Sequence, residues 1–178
     1  MTGPGPAAAA DGDSGISSKQ AGPADAWLNL DAIDLNLYGL AYHPDRTAAD
    51  RRHLDNQVNP GFAVHYELAN NPRRITFAEV GTYEDSGRNW AKLASLGYQY
   101  KFGERWRLGG AVAVIDSHTY NHGRPFVSVA PLVTYDIGRV KLNAVYFPKV
   151  GHHNQVAAFG FYLGIPLTDR TGQSARER

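Results

Sequence analysis

The stretch FAVHYEL, residues 62–68, sets a large apolar side chain against a small or polar one at every second position. Phe62, Val64, Tyr66 and Leu68 fall on one face, and Ala63, His65 and Glu67 on the other. Successive side chains of an extended strand point to opposite faces, so this pattern predicts a β-strand with one apolar and one mixed face. The same period recurs in both directions. Upstream, a segment from about Leu30 to His43 places Ile33, Leu35, Leu37 and Ala41 together. Downstream, Arg74 to Glu84 forms a third segment, and Leu96, Tyr98, Tyr100 and Phe102 mark a fourth against Ser95, Gly97, Gln99 and Lys101. Trp106, Leu108, Val112 and Val114 define a fifth, and Val127, Val129, Val133 and Tyr135 a sixth. Val140, Leu142, Ala144 and Tyr146 define the seventh, and Phe159, Phe161, Leu163 and Ile165 the eighth.

The connections alternate in size. Short turns at Asn70-Asn71-Pro72, Gly103-Glu104 and Asp136-Ile137-Gly138 separate longer polar loops, notably Pro44 to Asn59 and Ser117 to Arg124. Tight turns at one end and long loops at the other, on strands of bilayer-crossing length, are the signature of an outer-membrane barrel. The expected fold is therefore all-β, an eight-stranded antiparallel up-and-down transmembrane β-barrel whose closure leaves no exposed edge. A soluble eight-stranded barrel of the lipocalin kind is the competing architecture, and it would carry its apolar face inside. Here Glu67, Lys101, Arg105, Arg107 and Lys141 interrupt the non-apolar faces near one end, as a lumen plug would. Tyr98, Tyr100, Phe102, Trp106, Tyr135, Tyr146 and Phe147 stand near strand ends, where a membrane barrel has its aromatic girdles. Both features favour the membrane.

The chain of 178 residues has room for one such domain. It divides into a short or disordered leader (1–27), a barrel (28–167) and a polar tail (168–178). Residues 1–24 are rich in Ala, Gly, Pro and Ser, with neither the basic nor the apolar region of a signal peptide. They read as a disordered leader, a mis-assigned start or the remnant of a processed precursor. Net charge is +1, which gives no electrostatic reason to expect nucleic acid, and the absence of cysteine rules out thiol chemistry.

Side chains fill the lumen of an eight-stranded barrel, which argues against a porin. An enzyme, an adhesion or stability module, or a small lipid cavity remains. His43 ends the first strand, and Asp85-Ser86 lies in the loop between the third and fourth, so all three project from the long-loop rim. A base, a hydroxyl and a carboxylate are the set that acyl transfer needs, although each taken singly is what any solvated loop carries. His118 and His122 are four apart, and His152-His153 occupy another loop of that rim. That spacing brings ligands together on a helix, and this segment reads as a loop, so no metal is expected. No other cofactor is implied.

From about Leu30 to Leu167 the chain resembles the PagP family, lipid A palmitoyltransferases of Gram-negative outer membranes. The resemblance rests on Ala41-Tyr42-His43 followed by the long polar loop PDRTAADRRHLDNQVNPGF, and on Asp85-Ser86-Gly87-Arg88-Asn89-Trp90 followed by Leu96-Gly97-Tyr98. It extends to Pro131-Leu132 and Tyr146-Phe147-Pro148. The family's proline within the first strand is missing; Tyr38 stands near that position.

The resemblance implies that His43, Asp85 and Ser86 are the essential rim residues. It implies that Gly97 is the floor of an acyl pocket and sets the chain length accepted, although the same glycine suits a barrel bend. Pro131 and Pro148 would flank a lateral gap for lipid entry between strands six and seven, and Pro60 would border another between strands one and two. Small inward residues, among them Ala63, Ala78, Gly97, Ala111 and Ala113, would leave room for a donor chain or would simply fill a narrow barrel. The implied activity moves a palmitoyl-like chain from a phospholipid to lipid A within the outer-membrane bilayer, by a monomer. His43 would act as general base with Asp85 orienting it; Ser86 would bind or polarise the ester, or attack it. Arg51 and Arg52 would meet lipid A phosphates or remain solvated. The alternatives are a lipid A deacylase and a non-enzymatic small outer-membrane barrel.

Overall fold

A computed structural model describes residues 32–151 and 154–168. The leader, nearly all of the polar tail and His152-His153 lie outside the described residues. Eight strands follow in order: β1 (Ile33–Tyr42), β2 (Val58–Asn70), β3 (Arg74–Glu84), β4 (Trp90–Phe102), β5 (Trp106–Asp116), β6 (Phe126–Ile137), β7 (Val140–Phe147) and β8 (Ala158–Pro166). Each pairs antiparallel with the next, and β8 closes on β1 to complete the barrel. The long β1–β2 connection holds a one-turn helix, α1 (Arg46–Asp50), which the sequence pattern did not predict. Asp45 caps it by accepting from the Ala48 N–H.

The barrel is apolar outside and polar inside. Val80, Leu96 and Val127 are each more than 60% exposed, within a belt that includes Leu37, Phe62, Val64, Leu108, Val112 and Val129. Asp34, Asn36, Glu67, Glu79, Gln99, Thr134, Lys141 and Asn143 are buried in the lumen. Exposing one such apolar side chain to water forgoes roughly 1.5–3 kcal/mol, and a contiguous belt of them is stable only against lipid. This arrangement excludes the lipocalin alternative, whose faces are reversed. No helix among the described residues is long and apolar enough to cross a membrane. Aromatic pairs sit near the strand ends, as at Tyr100–Phe102 and Trp106–Tyr135, with ring centroids 5.0 and 4.6 Å apart.

Three side chains stand elsewhere than the alternation predicts. The pairing of β1 with both neighbours shifts register between Tyr38 and Leu40. One extra residue reverses the faces beyond it, so Leu40 turns outward, and Ala41 turns inward instead of joining Leu35 and Leu37. Ala78 pairs with the outward residues Tyr66 and Leu96 and so faces lipid, not the lumen. Arg105 is exposed in the β4–β5 turn beside Tyr135 and takes no part in the plug.

The lower half of the lumen, toward the tight turns, is closed by charge. The Lys141 ammonium donates to Asp34 and to Glu67, the latter at 3.0 Å. Arg107 donates to both Asp136 oxygens at 2.9–3.1 Å and lies 3.6 Å from Glu67. Gln99 donates to Thr134, which donates to Asn143. One layer higher, the Glu79 carboxylate accepts from Asn36 and Tyr38 and lies 3.1 Å from His65 Nδ1. Buried charges persist only when paired and hydrogen-bonded, and this network supplies the partners. Above it the lumen becomes apolar.

Candidate functional site

The long-loop rim converges on the turn after β3. Asp85 and Ser86 begin that turn, and both are buried. The Asp85 Oδ1 accepts from the backbone N–H groups of Gly87 at 2.9 Å and Asn89 at 3.0 Å, which folds the turn back on itself. Asn56 binds the same turn from the first loop: its N–H donates to Ser86 O at 3.2 Å and its Nδ2 to Asp85 O at 3.3 Å. Ser86 is thereby held from two loops.

His43 is the first residue beyond β1 and is only 1% exposed. Its Nδ1 lies 3.1 Å from the Ala157 carbonyl oxygen, and its Nε2 lies 2.9 Å from Ser86 Oγ. A carbonyl oxygen can only accept, so Nδ1 carries the proton and Nε2 presents its lone pair to the serine hydroxyl. A serine nucleophile would need this contact with a general base.

Asp85 does not orient the histidine, contrary to the role expected for it. Its oxygens are engaged by Gly87, Asn89, Thr119 Oγ1 at 2.8 Å and Ser117 Oγ. The two ring nitrogens of His43 are engaged by Ala157 and Ser86. The Ala157 carbonyl therefore fixes the imidazole, and the carboxylate instead clamps the β5–β6 loop against the β3–β4 turn. Gly87 lets that loop approach: a Cβ there would fall 2.5 Å from Thr119 Oγ1. Sequence reasoning missed Ser117 and Thr119, because nothing local marks a loop hydroxyl as the partner of a carboxylate more than thirty positions earlier.

Beneath Ser86 lies a cavity of about 130 Å³ with a largely apolar wall, to which Leu93, Ala111, Ala113, Ile115, Ala130 and Leu132 contribute. Phe77 forms its floor, buried and stacked on His65 with centroids 4.4 Å apart. Gly97 faces inward but does not line the cavity. The Phe77 ring occupies the space a side chain would need, and a Cβ at Gly97 would come within 2.1 Å of it. The glycine acts on the floor only through the ring it accommodates. At the rim, Asn59 Nδ2 donates to Glu84 O at 2.8 Å, while its Oδ1, buried at the cavity wall, has no partner among the described residues.

The cavity wall is incomplete on one side. The β6–β7 ladder begins at Leu132↔Val145 and runs only to Ile137↔Val140, so Phe126 to Pro131 are not paired with β7. Pro131 stands where the ladder stops and has no N–H to continue it; Pro148 follows the last residue of β7. Ser128 and Ala130 on one edge, and Val145 and Phe147 on the other, line the cavity. The β1–β2 seam differs. Past the irregularity near Pro60, pairing resumes at Leu40↔Val58, and Ala41 N–H donates to Gln57 O at 2.8 Å. No opening forms at Pro60.

Among the described residues, one group has the geometry to hold a metal ion, Asp34, His65 and Glu67. The Lys141 ammonium already sits on Asp34 and Glu67 and supplies the cation there.

No family model matches this chain, and no curated protein matches it. Among solved structures it is similar to Ail, the attachment invasion locus protein of Yersinia pestis. The two are 15% identical, the match covers 74% of this chain and 91% of Ail, and the TM-score is 0.38. A likeness of that degree carries nothing about chemistry.

Proposed function

We propose that this barrel is an acyltransferase of the PagP type, moving a fatty acyl chain from a phospholipid to a hydroxyl of lipid A in the Gram-negative outer membrane. The observation that carries the proposal is the contact of His43 Nε2 with Ser86 Oγ at the mouth of an apolar cavity. A water-filled site would suit a hydrolase of small polar esters. A greasy pocket set within a lipid-facing barrel suits an acyl chain. The gap between β6 and β7 supports the same reading, because it offers a lipid lateral access to the pocket without leaving the bilayer.

The chemistry follows from the hydrogen-bond directions. Ser86 Oγ attacks the ester carbonyl carbon of the donor while its proton passes to His43 Nε2. The tetrahedral intermediate collapses and expels the glycerol oxygen, which takes that proton and leaves as lysophospholipid. The acceptor hydroxyl then attacks the acyl-Ser86 carbonyl and gives its proton to His43. Ser86 Oγ leaves and recovers that proton, so enzyme and charge are restored. Throughout, Ala157 O holds the tautomer, and the imidazolium formed in each step keeps its Nδ1–H bonded to that carbonyl. The unpaired Asn59 Oδ1 is an acceptor waiting for a donor, and a substrate hydroxyl would satisfy it.

Mass spectrometry of lipid A from cells expressing the wild-type and His43→Ala proteins tests the reading. Wild-type protein should give lipid A heavier by one acyl chain together with lysophospholipid, and His43→Ala should give neither. Shortened lipid A with intact phospholipid would indicate a deacylase. No change with either protein would leave a non-enzymatic membrane barrel.

A further inference from the structure

The clamp made by Asp85 delivers a residue to the site that neither the sequence pattern nor the proposed mechanism uses. Ser117 and Thr119 are held by the Asp85 carboxylate, and Tyr120 is the next residue in the chain. Its ring is packed from below by Phe126, with centroids 6.2 Å apart. From the other loops it meets the cluster of Ala49, Leu54 and Val156, which brings residues following α1 and β7 over the same ring. So seated, Tyr120 lines the cavity alongside Ser86, and its hydroxyl lies beside both the Ser86 side chain and the Ser86 backbone amide.

We propose, building on the acyl-transfer reading, that Tyr120 is a catalytic residue that stabilises the oxyanion by donating its phenolic hydrogen to the carbonyl oxygen of the bound ester. The hydrogen-bond count at the site leads there. Ser86 Oγ–H is committed to His43 Nε2, and the Asp85 carboxylate only accepts, so neither can stabilise negative charge on a substrate oxygen. Hydrolytic sites commonly meet that charge with the nucleophile's own N–H and one further donor. Here the Ser86 backbone is hydrogen-bonded to the Tyr120 hydroxyl itself, which leaves the phenolic hydrogen as the donor beside the nucleophile. Burial and the Asp85 charge hold the Tyr120 phenol above its ordinary pKa, with the Ser86 contacts opposing them only in part, so it remains a donor at neutral pH. In each half-reaction the carbonyl π electrons move onto oxygen when the new C–O bond forms, and return when the old one breaks. Tyr120 keeps its proton throughout; it donates a hydrogen bond that shortens as the charge develops.

Tyr120→Phe removes that one bond and retains the ring that packs on Phe126, Leu54 and Val156. Full-length protein in vesicles of phosphatidylcholine doped with lipid A should lose about 10²–10³-fold in kcat, as removal of one oxyanion donor does, with KM for phospholipid within twofold of wild type. Unfolding, read as the heat-induced mobility shift on electrophoresis, should occur at the wild-type temperature. Wild-type kcat in Tyr120→Phe, with His43→Ala inactive, overturns the proposal and leaves the acyl-transfer reading standing. A raised KM with unchanged kcat overturns it equally, since it would assign the hydroxyl to ground-state binding. Undiminished turnover in His43→Ala would sink the acyl-transfer reading itself, and this proposal with it.

Discussion

The two halves of the lumen solve the same packing problem in opposite ways. Toward the tight turns, Asp34, Glu67, Asp136, Arg107 and Lys141 fill the barrel with mutually paired charges. Toward the long loops, small and apolar side chains leave a cavity, and the polar groups retreat to the rim around Ser86. Glu79 and Phe77 lie between these regions, one bound to Asn36 and Tyr38 and the other stacked on His65. A lower half filled with paired charges gives the barrel a rigid base. That rigidity is what allows the upper half to remain hollow, with one seam short of hydrogen bonds. Charge pairing and the cavity are assigned to different ends of the same strands.

Substitutions at the two ends should therefore separate stability from activity. The largest effect on activity belongs to the rim. Removing the base in His43→Ala should lower turnover by about 10³-fold or more while leaving the unfolding temperature in place. The largest effect on stability belongs to the plug. Lys141→Met removes the ammonium that joins Asp34 to Glu67, leaving Arg107 beside Glu67, and should destabilise the barrel by about 3–5 kcal/mol. Urea unfolding in micelles reads this loss, and the variant assayed well below its melting temperature should retain near-wild-type turnover. A Lys141→Met protein of normal stability would show that the plug is not the base of the structure. Gly87→Ala tests the clamp. A Cβ there collides with Thr119, so we expect turnover to fall about tenfold or more with little change in global stability, measured in the same two assays. The smallest effect lies at the boundary between halves. Gly97→Ala should push the Phe77 ring into the cavity and shorten the preferred acyl chain by about one or two methylenes, while Phe77→Leu should lengthen it. The chain-length distribution of the acylated product reads both shifts.

The strands were legible because alternation is local. The strand centred on residues 62–68 extends from Val58 to Asn70, and the order and number of strands follow from the same period. Errors arose where the period is interrupted: the register shift after Tyr38 moved Ala41 to the inner face, and a turn carried Arg105 out of the barrel. Helix α1 was missed although Asp45 precedes it as a cap, because five residues give no periodicity to detect. The site was legible only in part. His43 and Ser86 were singled out as chemical types on a common rim, and the barrel brings them within 2.9 Å of each other. Asp85 was identified, but its partner was not. A carboxylate beside a serine suggests a triad, whereas the fold gives it the hydroxyls of a distant loop. Tyr120 had no signal at all, since its position depends on three loops meeting over the barrel mouth.

The central claim is that the apolar cavity and the His43–Ser86 pair act together on a lipid ester. It is tested most directly by purified protein in vesicles whose phospholipid carries a labelled acyl chain, with lipid A as the unlabelled acceptor. Wild-type protein should transfer label to lipid A in equal amount to the lysophospholipid released, and Ser86→Ala should transfer none. Label that stays in phospholipid with wild-type protein, or reaches lipid A equally well with Ser86→Ala, would contradict the account.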